Sequence, residues 1–423
     1  MKIVRITKPD SRLIGSVKLR GSKSISNRVL IIKALCDSDL PIHHLSEADD
    51  TKILNSLLNS DASTFNAGHA GTSFRFLTSY LCTRKGTQIL TGSERMKQRP
   101  IGPLVDALRH IGADIEYSGK EGYPPLKIGE FKFSTCHSEV HLAADISSQF
   151  VSSLLLIAPI LPKGLIIHLE NEAVSRPYIL MTLKIMSQFG IEYSWNESSI
   201  EIANQNYSDT EFNVESDWSA ASYYFGLASN ASEVALSLYG LFENSVQGDA
   251  IIQKIAEEFG VHASFDENNC LLSLNYNEVK SHFEHDFIEH PDLAQTVSVM
   301  CAALGIESIF SGLKTLRIKE TDRIAALQKE LKKVSVFLNS LPTKYSKRSG
   351  KEFFIQSGKA KTADIPRFQT YEDHRMAMAL SLLAMHFPIE IEDPEVVNKS
   401  YPGYWDDLAD LGFEITNFDV PAT

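Results

Sequence analysis

The stretch Leu316-Arg317-Ile318-Lys319-Glu320-Thr321-Asp322-Arg323 leads into the apolar run Ile324, Ala325, Ala326, Leu327, with Leu331 one turn on. That spacing predicts an amphipathic helix over Glu320–Leu331, with Lys319 and Arg323 at i and i+4 on one face. Two like charges there repel by a few tenths of a kcal/mol. Taken alone, the stretch reads as a solvated helix start whose Glu320 and Asp322 complement the dipole. It can also be two cations holding anionic groups beside a carboxyl that moves a proton, and the rest of the chain decides between these.

Working outward, two kinds of helix alternate. One kind begins with a short polar cluster and then runs almost wholly apolar: Lys23–Arg28 before Val29–Leu35, Thr72–Arg75 before Phe76–Cys82, and Asp145–Gln149 before Phe150–Ile160. It recurs as Asp217–Ser219 before Ala220–Ala228, Asp292–Gln295 before Thr296–Leu304, and Asp373–Arg375 before Met376–Met385. A helix apolar on nearly all sides is a buried helix. The other kind is amphipathic and is usually closed by glycine before a strand: Arg99–Ile111 then Gly112, Ser175–Phe189 then Gly190, Asp249–Phe259 then Gly260, and Tyr401–Leu411 then Gly412. Glycine suits the C′ position because it accepts a left-handed backbone cheaply. Asp49–Leu58 and Glu320–Leu331 fill the same slot without glycine.

Buried and amphipathic helices therefore alternate six times, an internal repeat of pattern rather than of residues. Three repeats per domain give two similar α/β domains, 20–214 and 1–19 with 215–423, the boundary lying near Phe212–Glu215. The N-terminal strand Met1–Ile6 is then free to pair with the second domain, and the Lys-rich Thr343–Lys351 reads as an exposed loop.

Composition narrows the class. With 423 residues and 43% hydrophobic content the chain is globular, and a net charge of −12 argues against general nucleic-acid binding. Five scattered cysteines (Cys36, Cys82, Cys136, Cys270, Cys301) form no C-x-x-C and suit a reducing compartment. The N-terminus has no signal-peptide core, and no stretch nears the ~20 apolar residues of a membrane span, so a cytoplasmic protein is expected. Gly21-Ser22-Lys23-Ser24 fails the P-loop pattern, and neither Asp373-His374-Arg375 nor His43-His44 has a metal-ligand frame.

The polar residues of the apolar helices gather at their N-termini, where free N–H groups and the dipole attract anions. A Ser147 or an Asp217 there is an ordinary cap. Lys23, Arg28, Arg75 and Arg375 are not, because cations at a helix start oppose the dipole. Arg99, Arg176, Lys319 and Arg323 repeat that violation at the amphipathic starts, and repeated violation of a local rule marks a functional site.

Together these motifs resemble the 5-enolpyruvylshikimate-3-phosphate synthase (3-phosphoshikimate 1-carboxyvinyltransferase) family along nearly the whole chain. The carrying stretches are Gly21–Arg28, Ala70–Arg75, Leu90–Gly92 with Arg95–Gly102, Ser147–Phe150, Ser175–Tyr178, Pro291-Asp292, Arg317–Arg323 and Asp373–Ala379. The resemblance implies an inside-out α/β barrel fold of two domains, each of three βαβαββ units. It implies transfer of the enolpyruvyl group of phosphoenolpyruvate to shikimate 3-phosphate with release of phosphate, by a cytoplasmic monomer with no metal or organic cofactor.

By that resemblance Lys23, Ser24, Arg28, Ser147, Ser148, Gln149, Ser175, Asp292, Thr315 and Lys319 hold shikimate 3-phosphate, and Lys23, Gly71, Arg99, Gln149, Arg323, Arg375 and Lys399 surround phosphoenolpyruvate. Asp292 is expected to orient and deprotonate the acceptor hydroxyl, Glu320 to supply the proton to the methylene carbon, and Lys23 to assist. His69 and Thr315 stand where many family members carry Asn, which bears on affinity and inhibitor response rather than on reaction type. The nearest rival, the enolpyruvyl transferase acting on UDP-N-acetylglucosamine, carries a loop cysteine that Leu90–Pro103 lacks. A binding protein on the same fold would have no chemical reason to keep Lys23, Arg99, Asp292, Glu320, Arg323, Arg375 and Lys399 together.

Overall fold

The computed structural model describes residues 1–36, 41–132, 137–143, 147–170, 174–196, 198–266, 269–275, 279–342, 344 and 351–420. Asp145 and Ile146 of the third polar cluster, Cys136, and residues 343 and 345–350 of the Lys-rich loop lie outside that description. The chain forms two compact units, Gly21–Val214 and Met1–Arg20 with Glu215–Thr423. Arg20 goes with the second of these, one residue past the boundary read from the sequence, its carbonyl accepting from the Asp217 N–H at 3.0 Å.

In the unit Gly21–Val214 the helices are α1 (Lys23–Cys36), α2 (Asp49–Leu58), α3 (Gly71–Leu81), α4 (Gly102–His110), α5 (Ser148–Ile157) and α6 (Arg176–Gln188). Residues Ser73–Leu81 of α3 and Phe150–Ile157 of α5 are all buried, whereas α2 buries only Thr51 and Leu54. The strand Thr64–Asn66 pairs parallel with Gln88–Thr91, which pairs antiparallel with Leu126–Ile128 and through it with Ile115–Tyr117. The strands Glu139–Ala143, Leu165–Glu170, Ser199–Ile202 and Ser194–Trp195 repeat that sequence of pairings. The first repeat is reduced to the parallel pair Ile42–His43 with Phe212–Asn213.

In the other unit the helices are α7 (Trp218–Ser229), α8 (Ile252–Glu257), α9 (Ala294–Leu304), α10 (Arg323–Lys332), α11 (His374–Ser381) and α12 (Tyr404–Asp410). Ala220–Ser229 of α7, Ala294–Ala303 of α9 and all of α11 are buried. Its three sheets keep the same order of one parallel and two antiparallel pairings. In one of them the N-terminal strand Lys2–Thr7 lies between Ile389–Glu392 and Glu414–Asp419, so chain start and chain end share a sheet.

The parallel pairs of Thr64–Asn66 with Gln88–Thr91, Glu139–Ala143 with Leu165–Glu170, His282–Asp286 with Glu307–Ser311 and Arg367–Phe368 with Ile389–Glu392 are each bridged by an apolar helix, because a parallel connection needs a crossover whose apolar faces must be covered. The glycines closing four amphipathic segments, Gly112, Gly190, Gly260 and Gly412, all have positive φ, between 78° and 103°. Helices this apolar still contain hydroxyls, which are satisfied locally: Thr78 donates to the Phe74 carbonyl at 2.8 Å and Ser381 to that of Met378 at 2.7 Å. Others tie helices together, as Ser79 does with Ser153 at 2.6 Å. A Cβ on Gly226 of α7 would stand 2.2 Å from Leu382 Cδ2. An alanine there would overpack this core, costing about 1–3 kcal/mol.

Candidate functional site

The expected helix over Glu320–Leu331 begins later than the apolar pattern implied. Lys319 is extended (φ −80°, ψ −153°), and α10 starts at Arg323, after Asp322, whose Oδ1 accepts from the N–H groups of Ile324 and Ala325 at 3.1 Å. An aspartate that satisfies two free N–H groups ends the helix at that point. Lys319 and Arg323 therefore do not share a helix face. They converge instead on Asp292, which lies on the short turn Pro291–Leu293 leading into α9: Arg323 Nη1 is 3.2 Å and Lys319 Nζ 3.8 Å from Asp292 Oδ1.

Arg323 is almost fully buried, with 2% of its side chain exposed. Its Nε donates to Asp373 Oδ2 at 2.7 Å and its Nη2 to Glu320 Oε2 at 2.8 Å. Asp373 also caps α11, accepting from the Arg375 N–H at 2.9 Å. Arg375 in turn donates from Nη2 to Asp292 Oδ2 at 2.8 Å and from Nη1 to the Asp292 carbonyl at 3.2 Å. Ser219, at the start of α7, lies 3.4 Å from Arg375 Nη2 and donates to Asp249.

The cluster thus interleaves the cations Lys319, Arg323 and Arg375 with the carboxylates Asp292, Glu320 and Asp373. Burial alone would raise the Asp292 pKa, but Arg375, Lys319 and Arg323 outweigh it and hold the carboxyl well below its usual range, with Glu320 opposing. Burial would lower the Arg323 pKa, but Asp373, Glu320 and Asp292 reverse that and raise it. Lys399, at the end of the turn Pro394–Lys399, donates to the Glu372 carbonyl at 2.7 Å, two residues before His374 opens α11. Thr315 is half-exposed on the turn Lys314–Ile318 and has no recorded bond to this cluster.

The other unit carries the remaining expected residues. Lys23 opens α1 and pairs with Asp50 Oδ2 at 3.2 Å. Arg28 is buried one turn further on. It donates to Thr182 Oγ1 at 2.7 Å, to the Ser24 carbonyl at 2.8 Å and, at 3.3 Å each, to Ser152 Oγ and the Tyr178 carbonyl. With no carboxylate recorded against it among the described residues, burial pushes its pKa down to about 9.

Ser147 caps α5, accepting from the Gln149 N–H at 3.3 Å, and Gln149 Nε2 donates to Thr72 Oγ1 at 3.0 Å, so the starts of α5 and α3 meet. Ser148 is buried beside them. Ser175 precedes α6 without a side-chain capping bond, in a left-handed conformation (φ 59°) that costs a non-glycine residue of order 1 kcal/mol or more and is typical of functional sites. A Cβ on Gly71 would stand 2.5 Å from Arg99 Nη1, so the absence of a side chain there lets the guanidinium lie against the start of α3. Arg75 turns back on the same residue, donating to the Gly71 carbonyl at 2.7 Å. His69 meets Ser93 Oγ at 3.1 Å.

Sequence reasoning missed Asp373 as the two-point partner of Arg323 and Asp50 as the partner of Lys23. An aspartate before an apolar helix announces a cap, and nothing in that pattern reveals that its second oxygen reaches a cation fifty residues away. Among the described residues no group of three or more His, Cys, Asp or Glu is arranged to hold a metal ion, and no helix is long and apolar enough to cross a membrane.

Two α/β units whose helix starts carry arginine, lysine and serine make up this mixed α/β fold. Solved EPSP synthases from Acinetobacter baumannii share it: one superposes with a TM-score of 0.75 at 20% identity, covering 98% of this chain and 100% of that one. Residues 53–408 match the family model EPSP synthase (3-phosphoshikimate 1-carboxyvinyltransferase). A 3-phosphoshikimate 1-carboxyvinyltransferase from Bacteroides fragilis is 44% identical over 407 residues, covering 96% of this chain and 97% of that protein. One from Photobacterium profundum is 37% identical over 440 residues, covering 95% and 97%. The chain belongs to the EPSP synthase family.

Proposed function

We propose that the protein transfers the enolpyruvyl group of phosphoenolpyruvate to the 5-hydroxyl of shikimate 3-phosphate and releases inorganic phosphate, a step of the shikimate pathway to chorismate and the aromatic amino acids. Family membership and the names of its relatives support this. The observation that carries it is the meeting of two guanidinium forks, Arg323 and Arg375, on Asp292 with Glu320 beside them. Both substrates are anions, and forks of this geometry bind the paired oxygens of carboxylate and phosphate.

In this reading Lys23, Gly71, Arg99, Gln149, Arg323, Arg375 and Lys399 bind phosphoenolpyruvate. Lys23, Ser24, Arg28, Ser147, Ser148, Gln149, Ser175, Asp292, Thr315 and Lys319 bind shikimate 3-phosphate. The 5-hydroxyl oxygen bonds to C2 of phosphoenolpyruvate while C3 takes a proton from Glu320. The tetrahedral adduct then breaks its C2–O bond to phosphate, which leaves with the bonding electrons and the proton taken from the hydroxyl, and returns a proton from C3 to the Glu320 carboxylate, restoring the methylene. Lys23 balances charge during both steps. Asp292 orients the hydroxyl and takes its proton. Its present arginine partners make it a weak base, and phosphoenolpyruvate, by drawing the forks to itself, restores its basicity.

The recurring order of one parallel and two antiparallel pairings supports the finer fold, an inside-out α/β barrel of three βαβαββ units in each of the domains 20–214 and 1–19 with 215–423. The protein in this reading is a cytoplasmic monomer that needs no metal or organic cofactor, and the free thiols of Cys36, Cys82, Cys270 and Cys301 suit a reducing compartment. Phosphate release from phosphoenolpyruvate, with shikimate 3-phosphate and with UDP-N-acetylglucosamine as separate acceptors, tests the reaction. Release with shikimate 3-phosphate alone is expected; release with the nucleotide sugar alone would replace the acceptor, and release with neither would overturn the reading.

A further inference from the structure

Just before α11 the backbone does something unusual. Tyr371 and Glu372 are consecutive non-glycine residues in the left-handed region, with φ 54° and 55°. Such a pair persists only where its surroundings over-determine it. Three holds are visible. Lys399 donates to the Glu372 carbonyl at 2.7 Å. The next residue, Asp373, is gripped by Arg323. The third is Glu330, whose side chain is wholly buried: Oε1 accepts from the Tyr371 hydroxyl at 2.5 Å and Oε2 from the Gln369 N–H at 3.0 Å.

Arg323 and Glu330 both belong to α10 and are seven residues apart, two turns, so they lie on one face of it. One helix face thus clasps Gln369–Asp373 at both of its ends. Lys333 completes the far end, donating to Glu330 and, at 2.7 Å, to the Arg367 carbonyl. A buried carboxylate is favourable only while its partners are in place, and here two of the partners, Gln369 and Tyr371, lie in the segment that leads to the α11 cap, Asp373. Arg375 sits on the first turn of α11 and Lys399 on the Glu372 carbonyl, so both cations take their position from this turn.

We propose that Glu330 and Tyr371 are positioning residues for phosphoenolpyruvate, acting through the Tyr371–Glu372 turn to set Arg375 and Lys399. This rests on the functional reading above. Tyr371→Phe keeps the ring against the Lys329 ammonium and removes only the hydroxyl. Losing a hydrogen bond to a charged group should raise KM for phosphoenolpyruvate by roughly tenfold. Under the proposal kcat and KM for shikimate 3-phosphate stay within about twofold of wild type. Glu330→Ala should do at least as much, Glu330→Gln less because its amide can still meet the hydroxyl, and the double variant Glu330→Ala with Tyr371→Phe no more than Glu330→Ala alone.

The experiment is steady-state phosphate release by the full chain and these variants, with thermal melts in the presence and absence of phosphoenolpyruvate. An unchanged KM for phosphoenolpyruvate in Tyr371→Phe and Glu330→Ala, equal losses for both substrates, or additive effects in the double variant would overturn the clasp. If wild type shows no turnover, the functional reading falls separately. The clasp is then read from the melts: a phosphoenolpyruvate-induced rise in Tm that wild type shows and Tyr371→Phe loses supports it, and a rise that both show, or neither, overturns it.

Discussion

The two units bury an arginine in opposite ways. Arg323 is surrounded by Asp373, Glu320 and Asp292, and they raise its pKa against the effect of burial. Arg28 is as deeply buried but is held by two hydroxyls and two carbonyls, and burial pushes its pKa down to about 9. Arg323 is therefore a neutralised charge, part of an internal lattice of ions that phosphoenolpyruvate, in the proposed reaction, enters by competition. Among the described residues the partners of Arg28 are hydroxyls, carbonyls and the Phe76 ring, and an anion nearby gains strong attraction because the surroundings are poorly screening. One unit holds preorganised ion pairs beside the proposed proton-transfer groups; the other holds a cation with no carboxylate against it among the described residues, which suits its proposed role of gripping a substrate.

The sharpest way to break the contrast is at Glu320. Glu320→Gln should leave both substrates binding near normally and lower kcat by about 10²–10⁴-fold, the usual worth of a general acid. Isothermal titration beside single-turnover kinetics checks both halves, and unchanged turnover would remove Glu320 from the mechanism. Next comes Asp373→Ala, which strips the buried Arg323 of its two-point partner and should destabilise the fold by about 3–5 kcal/mol, read by chemical denaturation.

Arg28→Met tests the other side of the comparison. It leaves no carboxylate stranded, so the stability loss should be smaller, about 1–2 kcal/mol for hydroxyls and carbonyls that lose a donor. Affinity for shikimate 3-phosphate should nevertheless fall by tenfold or more, since a charged contact is worth about 1.5–3 kcal/mol. A loss of stability as large as that of Asp373→Ala would mean that Arg28 is a structural ion after all.

The smallest effect concerns pH. The Asp292 pKa is depressed in the folded state, so its charge stabilises the fold fully above the unfolded aspartate value of about 3.9 and loses that contribution as pH falls toward the folded value. The Tm gap between wild type and Asp292→Asn should accordingly be constant from neutral pH down to about 4 and shrink below it. A gap that instead closed between pH 7 and 5 would show that Asp292 is not held ionised by Arg375 and its neighbours.

Much of the fold was legible because it depends on local periodicity. The apolar stretches Val29–Leu35, Ala220–Ala228 and Thr296–Leu304 lie in helices that the structure buries, and the glycines after the amphipathic helices take the left-handed conformation their position asked for. The helix starts stood out as candidate sites for the same reason, since cations at an N-terminus violate a local electrostatic rule. The start of α10 was misread by three residues because hydrophobic spacing marks where a helix packs, while its first residue is set by the Asp322 cap. The roles of Asp373, Asp50 and Glu330 were not legible at all. Each makes its decisive bond to a residue 27 to 50 positions away.

What the chain alone established is therefore the alternation of helices and the family, since both are written in short-range pattern and motif order. Which carboxylate faces which cation came only from the folded chain. Coulomb interactions in a buried site act through space, and neighbours there, such as Arg323 with Asp373, are brought together by packing rather than by sequence. The same holds for the left-handed turn at Tyr371, where a strained backbone is intelligible only through the distant side chains that hold it, Glu330, Arg323 and Lys399.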